Sequence, residues 1–188
     1  MMGQAETLLS RIRAANRVVA LMVGLGLLGT AGLVMLDIVL RQLGRSLGGT
    51  DELSGYAMAI ASGWGMGYAF CELAHVRIDV LRTRLAPKGR AVLDVIALAS
   101  LNAVLAAIAY RCWPVVARSL ANDSHANTPL ETPLAWVQLP WMAGWVWFAL
   151  TAWAVTACAL VLILRGDLAA VERHVGSRSE AEAAEVQA

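Results

Sequence analysis

Four long apolar runs, separated by short polar or charged segments, constrain this chain more than any other feature. They cover about residues 18–40, 55–74, 91–113 and 136–164. An α-helix needs about 20 apolar residues to cross the hydrocarbon core of a bilayer, and each run meets that length. Because lipid offers the backbone no hydrogen-bonding partner, each run is predicted to be helical. The sequence therefore predicts an all-α integral membrane protein with four transmembrane helices.

The composition agrees with a membrane protein and disfavours other classes. Of the 188 residues, 59% are hydrophobic and 15% are charged, whereas soluble domains carry about 25% charged residues. Arginines occur only in local clusters next to the apolar runs, so no nucleic-acid partner is expected. The lipid bilayer is the first partner that the sequence predicts.

The placement of lysine and arginine predicts the orientation. Eleven of the fifteen lie before the first run, between the second and third runs, or after the fourth run. Since positive charges concentrate on the cytoplasmic side, both termini are predicted to be cytoplasmic. Residues 1–176 are expected to form a single four-helix membrane domain. Residues 177–188, rich in alanine and glutamate, are expected to be a disordered cytoplasmic tail.

The segment between the second and third runs is predicted to be more than a connector. Apolar residues in 75–90 fall on one helical stripe and the basic residues avoid it. This pattern is typical of a short amphipathic helix that lies in the membrane interface. Pro87 and Gly89 are then predicted to form a turn into the third run.

Charged residues near the ends of the first two runs are candidates for a functional role. Asp37 and Arg41 are four residues apart and can pair on one helix face. The pair either anchors the helix end or contacts a partner subunit. Thr50 is predicted to cap the second helix, and Asp51 and Glu52 lie in its first turn, where the helix dipole favours negative charge.

Small residues recur every four positions along the second run, at Gly55, Ala59, Gly63, Gly67 and Cys71. Membrane helices use such small residues to approach each other closely. The pattern predicts a tight helix contact, either within this chain or with another subunit.

Several kinds of chemistry are missing from the sequence. The apolar runs contain almost none of the ionisable groups that an ion carrier keeps within the membrane, and those present lie near the ends of the runs. The three histidines, His75, His125 and His174, lie outside the runs, which disfavours bound haem. Phosphate-binding loops, nucleophile motifs and metal-ligand spacings are absent, and the three cysteines are scattered. We therefore expect no enzyme activity, catalytic residue, metal or cofactor.

Several of these residues also form a family pattern that covers about residues 15–165. It combines an Asp-x-x-x-Arg motif, an acidic pair, two glycines in the second run and a His-Val-Arg-Ile-Asp-Val-Leu string that starts at residue 75. The residues of the pattern are, in chain order, Asp37, Arg41, Asp51, Glu52, Gly63, Gly67, His75 and Arg77. A loop with prolines then precedes a Trp-rich fourth run. This pattern resembles the DctQ-type small membrane subunit of tripartite ATP-independent periplasmic (TRAP) transporters.

The resemblance implies a small scaffold subunit of a sodium-coupled importer of organic acid anions in the bacterial inner membrane. Its partners would be a large membrane subunit, which carries the substrate and sodium sites, and a periplasmic substrate-binding protein. The chain itself would bind no substrate and no cofactor. The eight residues of the pattern are then the candidates for partner contacts.

Two other functions are weighed against this interpretation. A self-sufficient four-span transporter of the multidrug type needs an acidic residue inside its first span, and residues 18–36 contain none. A membrane anchor subunit of a redox enzyme with haem needs histidines inside the spans, and these are missing as well.

Overall fold

The computed structural model describes residues 3–73, 84–167 and 170, which form four helices. These are α1 (Gly3–Gln42), α2 (Thr50–Cys71), α3 (Pro87–Ala121) and α4 (Leu134–Leu164). Among the described residues, the β-type pairing is limited to an isolated bridge between His125 and Pro133. The predicted all-α architecture is confirmed. Most of the predicted interfacial helix, with His75 and Arg77, and the predicted tail lie outside the described residues.

Three of the described helices, α1, α3 and α4, are long and apolar enough to cross a membrane. The fourth, α2, does not reach that hydropathy because glycine, serine and aromatic residues dilute its apolar content. Its 22 residues still span about 33 Å at 1.5 Å per residue. The prediction of helices that could span a membrane is thus confirmed for three of the four runs.

The helices extend beyond the apolar runs. α1 has 40 residues, about 60 Å, which is twice the thickness of a hydrocarbon core of about 30 Å. α3 begins at Pro87, so the predicted turn at Pro87 and Gly89 is wrong. Proline suits the first position of a helix because the amide hydrogen that it lacks would have no partner there. Gly89 consequently lies inside the first turn of α3.

α4 lies at the centre of the arrangement. It packs against α2 and α3 and meets part of α1, whereas α1 packs mainly along α2. Within the described residues, α3 contacts neither α1 nor α2. The face of α4 that forms the core carries Phe148, Ala152, Val155, Ala159 and Leu162. Every other helix is therefore held in place by α4, directly or through α2.

α2 and α4 approach each other closely at two glycines. A Cβ atom on Gly144 would lie 2.7 Å from Cδ1 of Trp64 and 2.9 Å from its backbone nitrogen. A Cβ atom on Gly63 would lie 3.2 Å from the Trp141 carbonyl oxygen. The Trp64 indole also donates a hydrogen bond of 2.9 Å to the Pro140 carbonyl. Small residues at this crossing let the two backbones come together, as the four-residue spacing in α2 predicts.

We predict that Gly144→Ala destabilises the chain, because the new methyl group would collide with the backbone of Trp64. Overpacking of this kind costs about 1–3 kcal/mol. The measurement is the thermal unfolding midpoint in detergent. Gly65→Ala is the matched control, since a Cβ atom there meets nothing within 4 Å. Equal midpoints for the two variants would contradict the close contact between α2 and α4.

Candidate functional site

The carboxylate of Asp37 organises the loop that joins α1 to α2. Its side chain is only 1% exposed. Oδ2 accepts hydrogen bonds from Nε of Arg41 at 2.7 Å and from the Thr50 hydroxyl at 2.9 Å. Oδ1 accepts from the backbone N–H of Leu47 at 2.7 Å and from the Ser46 hydroxyl at 3.0 Å. One carboxylate therefore ties together the end of α1, the loop and the start of α2.

The predicted pairing of Asp37 with Arg41 is confirmed, and Nη2 of Arg41 also lies 2.7 Å from Oδ2. The predicted capping role of Thr50 is wrong. Gly49 is the N-cap residue of α2, with a φ of 71° that favours glycine, and α2 has no side-chain cap. The Thr50 hydroxyl donates to Asp37 instead, because a buried carboxylate must be surrounded by donors.

Asp51 and Glu52 lie in the first turn of α2 as predicted, but they face different surroundings. The Asp51 side chain is 89% exposed, with Oδ2 3.8 Å from Nη2 of Arg41. An exposed pair of this kind contributes little stability. Glu52 is half-buried and accepts a hydrogen bond from the Tyr56 hydroxyl. Asp51 is thus free to meet another molecule, whereas Glu52 acts within the chain.

The loop between α3 and α4, residues 122–133, folds onto the start of α2. Hydrogen bonds from Ala126 N to Thr132 O and from Leu134 N to Ser124 O, both 2.9 Å, close it into a compact turn. Leu130 covers Gly49, where a Cβ atom would lie 2.4 Å from its Cγ. The Thr128 hydroxyl, followed by the Tyr56 hydroxyl, keeps the pKa of the Glu52 carboxyl below its usual value.

The two loops consequently share one end of the protein, which we call the outer end and which carries residues 43–49 and 122–133. Asp37, Arg41, Asp51 and Glu52 gather there. Gly63 and Gly67 do not belong to this group, since they lie deeper in α2 and contact α4 and α1. His75 and Arg77 are outside the described residues.

Two buried asparagines that the sequence analysis missed link helices through side-chain hydrogen bonds. Asn16 of α1 is fully buried, accepts from the Trp147 indole at 3.0 Å and donates to the Thr151 hydroxyl at 3.3 Å. Asn102 of α3 donates to the Thr156 hydroxyl at 2.8 Å. All three partners lie on α4. An asparagine within or beside an apolar run is the signal that identifies such links, because a buried amide needs a partner.

Within the described residues, no group of histidine, cysteine, aspartate or glutamate could hold a metal ion. The three cysteines are buried and free. The polar groups described above bond mainly to each other, so the geometry is that of a structural element.

Comparison with known protein families identifies the family to which this chain belongs. The family model described as "Tripartite ATP-independent periplasmic transporters, DctQ component" matches residues 30–166. The chain belongs to the DctQ family. Neither a curated protein nor a solved structure matches the chain.

Membership in the DctQ family defines the protein as a component of a TRAP transporter in the inner membrane. The family is one of transporter components and not of enzymes. The match begins within α1, includes Asp37 and the loop at 122–133, and ends just after α4. The first 29 residues, with Asn16 and the arginines near it, precede the matched region.

We predict that Asp37→Ala lowers the thermal unfolding midpoint by about 4 °C or more, because the donors around the carboxylate lose their acceptor. The control is Asp51→Ala, which removes the same charge from an exposed position and should leave the midpoint nearly unchanged. The measurement is a thermal melt of both variants in the same detergent. If Asp37→Ala melts at the midpoint of Asp51→Ala, Asp37 does not organise the loop.

The lowered pKa of Glu52 predicts a dependence of stability on pH. Its ionised form is favoured in the folded chain, so this stabilisation is present above the ordinary pKa of glutamate, 4.5. It is lost as the pH falls through the lower pKa of the folded state. Glu52→Gln should therefore weaken the loss of stability at acid pH, measured by melts between about pH 7 and pH 3. An unchanged acid dependence would contradict this role for Glu52.

Proposed function

We propose that this chain is the small scaffold subunit of a sodium-coupled, binding-protein-dependent TRAP transporter that imports an organic acid anion. It supports the large permease subunit and does not itself bind substrate. The substrate and sodium sites lie in the large subunit, and a periplasmic protein delivers the anion. Membership in the DctQ family supports the transporter assignment.

The observation that carries the scaffold role is the absence of acidic, basic and histidine side chains from the central stretch of each of the four helices. Residues 18–36, 53–71, 95–110 and 132–164 contain no Asp, Glu, Lys, Arg or His. Chains that carry ions or anions through a membrane keep such groups inside it, because they are costly and persist only for function. A chain without them is suited to hold a partner in place.

The hydrogen bonds of the candidate site support the same role. The Asp37 carboxylate is occupied by donors from its own chain, so it has little capacity left for a substrate. Asn16 and Asn102 connect α1 and α3 to α4 in the same way. The bonds resist relative movement of the helices, as a static scaffold requires.

We further propose that α2 is the fourth membrane crossing and that both termini are cytoplasmic. The loops at 43–49 and 122–133 lie at the same end of the protein. α2 begins at that end and α3 finishes there, so one helix leads away from it and the other leads back. The length of α2 is sufficient for a crossing. The bias of lysine and arginine toward the segments before α1, between the second and third apolar runs and after α4 supports a periplasmic location of the outer end.

Contacts with the partner subunits are proposed at the outer end. Arg41 and Asp51 are accessible there, and Asp37 fixes the guanidinium of Arg41. They are suited to meet the large subunit or the binding protein. His75 and Arg77 remain candidates for contacts at the cytoplasmic interface.

The test is uptake of labelled organic acids by cells that express the large subunit and the binding protein, with and without this chain. We expect uptake to fall to the background of the host when the chain is omitted, and replacement of external sodium by potassium to have the same effect. The tagged chain should co-purify with the large subunit. Gly65→Ala, which disturbs no contact, should restore full uptake.

Undiminished uptake without the chain would contradict the scaffold role. Uptake of organic acids into liposomes that contain only this chain would contradict it as well, because a scaffold cannot transport alone.

A further inference from the structure

Two arginines mark the level at which α1 leaves the membrane on the side opposite the outer end. Arg17 directly precedes the apolar run, and Asp37 directly follows its central part. The 20 residue steps from Arg17 to Asp37 correspond to about 30 Å, the thickness of one hydrocarbon core. Arg17 is thus at the level of lipid headgroups. Arg11 lies six residues, about 9 Å, farther along the axis.

Arg11 and Arg17 are both exposed, and neither makes an ion pair with another residue in the described part of the chain. At 3.6 residues per turn they lie on either side of Ala14, which is also exposed. The small side chain of Ala14 leaves space between the two long ones. Arg13 does not belong to this pair, because it is half-buried and close to Cys71 of α2.

An exposed apolar stripe continues from the arginines into the membrane. It consists of Val18, Leu21, Leu25 and Leu28, whose exposures lie between 55% and 70%. The stripe faces away from α2, which lies on the side of Val19, Val23 and Gly26. Tight helix contacts in membranes favour small residues, and the stripe contains none. Bulky flexible side chains of this kind suit an acyl chain better than a second helix.

We propose that the inner half of α1 binds an anionic phospholipid. The phosphate sits between the guanidinium groups of Arg11 and Arg17, and an acyl chain lies along the stripe from Val18 to Leu28. Guanidinium groups bind phosphate oxygens through paired hydrogen bonds, and the net negative charge of the lipid adds to the attraction. A zwitterionic lipid carries its own ammonium group, so the two arginines attract it less strongly. The headgroup site precedes the region that defines the family.

The test uses the full-length chain in nanodiscs that contain equal amounts of phosphatidylglycerol and phosphatidylcholine. Native mass spectrometry counts the copies of each lipid that stay bound when the chain is released. We expect the wild type to retain about ten times as many copies of phosphatidylglycerol as of phosphatidylcholine. The double variant R11Q/R17Q should retain both lipids about equally. R11K/R17K, which preserves the charge, should keep most of the preference.

The matched control is R45Q/R118Q, which removes two exposed arginines from the outer half of the protein and should keep the preference of the wild type. Thermal melts show that each variant is folded. The proposal is overturned if the wild type shows no preference for phosphatidylglycerol. It is also overturned if R11Q/R17Q keeps the preference, or if the control loses it to the same degree.

Discussion

The attachment of every helix to α4 is the constraint on which the described structure depends. Lipid chains are as apolar as leucine, so burial of apolar side chains alone gives membrane helices little reason to associate. The chain instead uses close backbone contact at Gly63 and Gly144 and hydrogen bonds from Asn16 and Asn102. These few contacts fix α1, α2 and α3 around α4, although most of the surface of α1 stays exposed.

The outer end depends on a second interaction, the buried carboxylate of Asp37. Because its donors come from α1, the loop and α2, the carboxylate sets how the chain turns back. That turn places Gly49 under Leu130 and so joins the two outer loops. The guanidinium of Arg41 and the carboxylate of Asp51 stay accessible at this end, as the proposed contacts with a partner require.

Local features could be predicted from the sequence, and contacts between distant segments could not. The lengths of the apolar runs give the helices, and the four-residue spacing gives the Asp37–Arg41 pair, because both depend only on helix geometry. The role of Thr50 depends on a carboxylate thirteen residues away, so local capping rules fail there. The spacing of small residues in α2 predicts a close contact, but only the structure identifies Gly144 of α4 as its partner.

In the proposed four-span arrangement both outer loops lie in the periplasm, and the accessibility of introduced cysteines is the decisive measurement. The native cysteines are buried, so the wild type supplies the unlabelled background for a membrane-impermeant maleimide. We expect Leu43→Cys and Asn127→Cys to be labelled in intact cells, and Ser10→Cys to be labelled only after lysis. Labelling of Ser10→Cys in intact cells, or protection of Leu43→Cys while Asn127→Cys reacts, would contradict it.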